Sequence, residues 1–218
     1  MKHIERVNPQ RPEKVIISRC AKLLEADGVI AYPTETFYGL GAHIGSYKAI
    51  HRIFEIKGRD YSMPIIILVA SEAQLGEYVE YIPEGAKILM KALWPGGITL
   101  LFPSSKRVLP ILTSNTGKVG IRWSSNIIAN AIIDVLGVPI TSTSANLSGG
   151  EGSDSAEKVF EVFGDKLDMI VDGGKTPGTV GSTIVDVTEE PPLLIREGIV
   201  PKREIEKILK DRGELSAL

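Results

Sequence analysis

Small hydroxyls and isolated cations are the side chains of this sequence best suited to chemistry, and they gather at the ends of apolar runs. Residues 141–145 (Thr-Ser-Thr-Ser-Ala) are five small residues, four of them hydroxylic, entered through Val138, Pro139 and Ile140. Extended side chains alternate faces, so Ser142 and Ser144 share one face and Thr141 and Thr143 the other. Asn146 adds an amide that donates and accepts, and Gly149-Gly150 gives a sharp exit. Such a stretch lets a ligand approach the backbone and still find hydrogen bonds, although a plain Ser/Thr-rich turn has the same composition.

Lys57-Gly58-Arg59 is the clearest charged candidate. On extended backbone, which Gly58 favours, the two cations face one way and repel unless an anion sits between them. Carboxylate, bicarbonate and phosphate all fit, with Arg59 able to bind two oxygens at once. A solvated helix end, where cations offset the carbonyl dipole, is the plainer alternative. Arg122 and Arg196 each end an apolar run, at 119–122 and 193–196. At the mouth of a sheet an arginine meets oxyanions in the crevice outside the strand ends; it also snorkels to solvent. The Gly-rich segment 178–183 approaches a strand and could cradle a phosphate with its amides, or serve only as a loop.

Several familiar motifs are incomplete. Gly174-Lys175-Thr176 ends like a P-loop, but Met169 occupies the position of the first glycine. Gly39-Leu40-Gly41 begins like a dinucleotide fingerprint, but Ile44 stands where the third glycine belongs. His3, His43 and His51 have no metal-ligand spacing, and no metal site is expected. Glu35 has the chemistry of a base without a partner suggested by the sequence.

The elements that must position these residues follow from periodicity. Ile16, Cys20, Leu23 and Leu24 fall at helical spacing, closed by Asp27-Gly28. Residues 29–32 predict a strand, 46–56 a helix, and 65–69 a strand buried on both faces. Ser71 and Gln74 have capping-box spacing, and Pro83-Glu84 opens a helix to about Trp94. Strands are expected at 99–103 and 119–122, with a short apolar segment between them at 108–112. A helix uses Ile128, Ala131, Ile132 and Val135 and stops at Gly137. Asp154 is expected to cap a helix reaching Phe163; strands follow at 169–171, 183–187 and 193–196, the last two as a hairpin. Pro201 opens a final amphipathic helix using Ile205, Ile208 and Leu209, and the tail after Gly213 is expected to fray. Interleaved helices and strands with late hairpins imply an α/β fold: a twisted mixed sheet flanked by helices, in one domain over 1–218.

Composition bounds the rest. With 218 residues, 43% apolar and 24% charged, the chain has the make-up of an ordinary globular protein. Its formal charge of −2 argues against a broad nucleic-acid footprint while leaving room for a local basic pocket. The single cysteine, Cys20, excludes an internal disulfide and reads as a buried filler. Residues 1–13 are polar, and no apolar run is long enough to span a bilayer, so the expectation is a cytoplasmic protein without a membrane partner.

Taken together, these pieces resemble the YrdC-like family of threonylcarbamoyl-AMP synthases. The matching segments are 33–41 (Pro-Thr-Glu-Thr-Phe-Tyr-Gly-Leu-Gly), Lys57-Gly58-Arg59, Trp94-Pro95-Gly96 with Thr99, 119–122, 142–149, Asp172-Gly173-Gly174, 182–186 and Arg196-Glu197-Gly198. They occur in the family's order over roughly residues 12–200. The resemblance implies a basic concave cleft in which L-threonine, bicarbonate and ATP give threonylcarbamoyl-adenylate and pyrophosphate. That adenylate serves the modification of adenosine 37 in tRNA by partner proteins.

On this resemblance, Thr34, Arg122 and Ser142 would hold threonine and bicarbonate. Lys57 and Arg59 would act as the catalytic cations on carbamate and phosphates. Ser144, Asn146, Ser182 and Arg196, with Lys57 and Arg59, would bind the nucleotide. No tightly bound cofactor is implied; Mg²⁺ would arrive with ATP. The sequence also departs from the family. Met63 and Leu68 stand where some members carry a ligand-contacting asparagine and histidine, and 151–154 replaces a Pro-Ser-Pro-Thr stretch. The length matches the short form, and Arg196-Glu197-Gly198 leans toward a YciO-like branch. The alternative implied by that branch is an RNA-binding or ribosome-associated module with weak RNA contact.

Overall fold

The computed structural model describes residues 4–210. Eleven short strands form two mixed sheets. The first sheet has the order β1 (Ile4–Arg6), β9 (Met169–Asp172), β2 (Ile30–Pro33), β3 (Tyr38–Gly41) and β8 (Thr143–Ser144). The second runs β11 (Leu193–Arg196), β10 (Thr183–Asp186), β5 (Ile98–Pro103), β6 (Lys118–Trp123), β4 (Ile67–Val69) and β7 (Ile140–Thr141). The expected mixed α/β class holds, with the strands divided over two sheets.

Period-two alternation explains why two cores flank the strands. On β2, Ile30 and Tyr32 join one core and Ala31 the other. The smaller core is closed by α1 (Lys14–Glu25) and α6 (Ile127–Leu136), through Ile17, Cys20 and Leu24 against Ile128, Ile132 and Ile133. The larger core takes the buried faces of α2 (Tyr47–Lys57), α3 (Glu72–Tyr78), α4 (Glu84–Leu93), α5 (Pro110–Thr113), α7 (Ala156–Phe163) and α8 (Lys202–Lys210).

Caps place the helix starts. Ser46, Ser71 and Asn126 each accept a backbone N–H in the first turn of their helix. The expected cap at Asp154 belongs instead to Ser155, whose Oγ accepts from the Lys158 amide. Asp154 pairs with Lys158 and Lys175. The strand expected over 65–69 is ladder-paired only at Ile67–Val69. Residues 65 and 66 bond outside the ladder, Ile65 N–H to Leu112 O in α5 and Ile66 O from Ser142 N–H at the corner between β7 and β8. The tail after Gly213 lies outside the described residues.

β1 and β3 are strands that the sequence pattern does not signal. β1 is three residues paired in parallel with β9. β3 carries two glycines in four residues, ordinarily unfavourable in a strand. Gly41 is needed because the Tyr32 ring crosses it: a Cβ there would lie 2.8 Å from Tyr32 Cε1.

The chain crosses between the two sheets at Ser142. Thr141 ends β7 in the second sheet and Thr143 begins β8 in the first. The hydroxyl run is therefore a corner joining both sheets, and small side chains let two backbones meet there. None of the described helices is long and apolar enough to cross a membrane.

Candidate active site

A cavity of about 410 Å³ opens where the sheets meet at that corner. Its walls come from the β2–β3 turn (Thr34, Thr36), from Arg59, Arg122, Ser142 and Ser144, and from Ser182 and Arg196. Of the nine residues assigned to the site from the sequence, seven line the cavity. Lys57 and Asn146 do not.

The β2–β3 turn is built by its own hydroxyls. Thr34 Oγ1 donates to Phe37 O at 2.7 Å and accepts from Thr36 N–H at 3.1 Å, an arrangement that fixes a tight turn. Thr36 Oγ1 lies 3.0 Å from Thr34 Oγ1 and accepts from Arg122 Nη1 at 3.2 Å. Arg122 is only 3% exposed, yet reaches Ser142 Oγ through Nη2 at 3.3 Å. Sequence reasoning passed over Thr36, although it stands in the same matching segment as Thr34.

Arg59 is anchored by backbone carbonyls, Nε to Met63 O at 3.2 Å and Nη2 to Pro64 O at 2.9 Å. Arg196 donates Nη2 to Ser182 O at 2.8 Å, while Ser182 Oγ meets Thr99 Oγ1 at 2.9 Å. Neither arginine has a carboxylate partner among the described residues. Burial lowers the pKa of Arg59, and the charge of Arg196 lowers it further. Arg196 is lowered likewise by burial and then by Arg122. Arg196 thus feels repulsion with both Arg59 and Arg122, and an anion among them would relieve it.

Lys57 departs from the expectation of an exposed cation on extended backbone. It is the last helical residue of α2, followed by Gly58 as a left-handed cap at φ 58°. At 2% exposure its Nζ donates to Ser144 O at 2.5 Å and Asn146 O at 2.7 Å, with Asn146 Oδ1 at 3.4 Å. Burial, assisted by the charge of Arg59, pushes its pKa down to about 7. The accepting oxygens oppose that shift by favouring the ammonium.

Asn146 is committed to the same loop. Its Oδ1 accepts from Ser144 Oγ at 2.5 Å, and its Nδ2 donates to Leu147 O at 2.6 Å and Gly150 O at 2.8 Å. Lys57 and Asn146 therefore hold the Ser144 wall from behind.

Leu68 is fully buried opposite Arg122 on the neighbouring strand, and Ile66, two residues earlier on the same face, lines the cavity in its place. Met63 is exposed, with its carbonyl on Arg59. Tyr38 packs inward and donates its hydroxyl to Gly174 O at 2.7 Å. Cys20 is buried as expected, and burial raises its pKa to about 12. Of the Gly-rich segment, Val180, Gly181 and Ser182 reach the cavity, but the Gly178 amide is spent on Thr36 O.

Known proteins share both the sequence and this architecture. The Sua5_yciO_yrdC family model, described as telomere recombination, matches residues 22–198. The threonylcarbamoyl-AMP synthase of Pyrococcus abyssi is 42% identical over 92% of this chain, and 59% of its own length is covered. The chain therefore spans about three-fifths of that relative. The structure of P. abyssi Sua5 complexed with L-threonine superposes with a TM-score of 0.92 at 41% identity, over 97% of this chain and 61% of that one. Escherichia coli YciO superposes at 0.86 and 29% identity, over 94% of this chain and all of that one.

Proposed function

We propose that this chain, which belongs to the Sua5/YciO/YrdC family, makes threonylcarbamoyl-adenylate and pyrophosphate from L-threonine, bicarbonate and ATP. The observation that carries the reading is the convergence of Arg59, Arg122 and Arg196 on one cavity whose lining contains no carboxylate. The reaction brings two anions together. Threonine's amine adds to carbon dioxide with loss of a proton, or to bicarbonate with loss of water, to give a carbamate, whose oxygen attacks the α-phosphate of ATP as pyrophosphate leaves. Fixed cations and orientation supply most of what such a step needs.

In this reading Arg122, with Thr34, Thr36 and Ser142, receives the amino acid and its carbamate. Arg59, Arg196, Ser144 and Ser182 face the nucleotide, whose Mg²⁺ travels with it. Lys57 and Asn146 hold the Ser144 wall without touching substrate. The adenylate would pass to partner proteins that modify adenosine 37 of tRNA. The name and bound amino acid of the P. abyssi relatives support this assignment.

The YciO-like alternative has its own observation, since E. coli YciO is covered over its full length. Threonine-dependent pyrophosphate release by the purified protein, with ATP and bicarbonate, separates the two readings. Its absence, beside tRNA binding that weakens steeply with salt, would favour the alternative.

A further inference from the structure

Glu35 lies between two cavity-lining threonines but is not itself part of the lining. Its Oε1 sits 3.1 Å from Arg122 Nη1, and its Oε2 accepts from Ser124 Oγ. Ser124 is fully buried and accepts the Asn126 amide at 3.1 Å, tying this carboxylate to the start of α6. The Glu35–Arg122 pair is close but not aligned. Glu35 Oε1 and Arg122 Nε are both buried without a hydrogen-bond partner among the described residues. A guanidinium matched to a carboxylate would offer two parallel N–H groups to two oxygens. Here the carboxylate tethers one nitrogen and leaves hydrogen-bonding capacity in reserve.

We propose that Glu35 is a positioning residue: its carboxylate, braced by Ser124, holds the Arg122 guanidinium in the orientation that receives the carboxylate end of the amino-acid substrate. The role assigned to the substrate rests on the function proposed above; the tether itself does not. Without Glu35, Arg122 would keep its charge but lose its one ionic anchor. Thr36 and Ser142 would then hold it through two long contacts of 3.2 and 3.3 Å.

Two readouts test this. Nitrogen-15 NMR of the arginine side chains reports rotation about the Nε–Cζ bond of Arg122 in the substrate-free protein. Steady-state kinetics separates the KM for threonine from the KM for ATP. Glu35→Ala should speed Arg122 rotation and raise the threonine KM about tenfold, with the ATP KM changed less than about twofold. Glu35→Asp should recover part of both effects.

Equal rises in both KM values, or slow Arg122 rotation in Glu35→Ala, would overturn the proposal. If the wild type releases no pyrophosphate with threonine while Glu35→Ala still frees Arg122, the tether stands and the proposed function fails.

Discussion

The protein contains a second cavity, larger than the first at about 590 Å³, and the contrast between them supports the proposed site. Arg6, Lys158 and Lys175 line the larger one, and each has a carboxylate in reach. Arg6 meets Asp172 at 3.3 Å; Lys158 and Lys175 meet the two oxygens of Asp154 at 2.9 and 3.5 Å. In the smaller cavity, Arg59 and Arg196 are anchored on carbonyl dipoles, and Arg122 has a single misaligned carboxylate behind it. Volume does not distinguish a reactive cavity here. Charge balance does: Arg59 and Arg196 have no counter-ion among the described residues, whereas each cation named in the larger cavity has one, and a surplus of positive charge attracts anions.

The largest expected effect sharpens that contrast directly. Replacing Arg59 or Arg122 by Ala should lower threonine-dependent turnover by about 10²-fold or more, the scale seen when one preorganised charge-stabilising donor is removed. A loss below about threefold in both variants would break the comparison. Substitution Lys57→Ala should act on the fold first, since it takes the ammonium donor from the buried carbonyl of Asn146 and one of two donors from Ser144 O, which keeps the Asn146 amide. We expect a loss of about 3 kcal/mol of unfolding free energy, measured by urea denaturation. Unchanged stability would mean that Lys57 does not hold the wall.

Lys57 also gives a pH signature. Its folded pKa of about 7 lies below its ordinary value of 10.5. Below about pH 7 the ammonium is charged in folded and unfolded chains alike, and the burial cost is felt in full. Between about pH 7 and 10.5 the unfolded chain keeps a proton that the folded chain has released, so stability rises with pH. Relative to Lys57→Met, the wild type should gain stability across that window by at most about 1.4 kcal/mol per pH unit. A flat difference between the two proteins would refute the depressed pKa. The smallest effect belongs to the larger cavity: Lys175→Ala, which removes an exposed ion pair, should leave turnover within about twofold. A large loss there would mean that the second cavity takes part in the reaction.

Much of the scaffold was legible because local signals agreed with the tertiary outcome. The α1 helix, the Ser71 cap and the 183–196 hairpin appear where the pattern puts them; α6 also forms, but its buried face is Ile128, Ala129, Ile132 and Ile133, and Val135, expected on that face, is exposed. β3 was hidden because Gly41 is required by the Tyr32 ring, 9 residues earlier on the paired strand β2, rather than by strand propensity. The cap of α7 moved by one residue because Asp154 found two lysines, one of them in a distant loop.

For the proposed site, residue types and their order by themselves pointed to hydroxyls and arginines at strand ends as candidate oxyanion contacts. Burial and partner choice were decided only in three dimensions. Lys57 and Arg59 are two residues apart, yet the left-handed Gly58 turns one into a buried clamp and the other toward the cavity. Glu35 stood out only as a possible base without a partner, because the arginine it pairs with is 87 residues away in the sequence. Sequence spacing reports which groups share a local face. Which charges remain uncompensated depends on long-range pairing, and that is settled by the packing of two sheets at one corner.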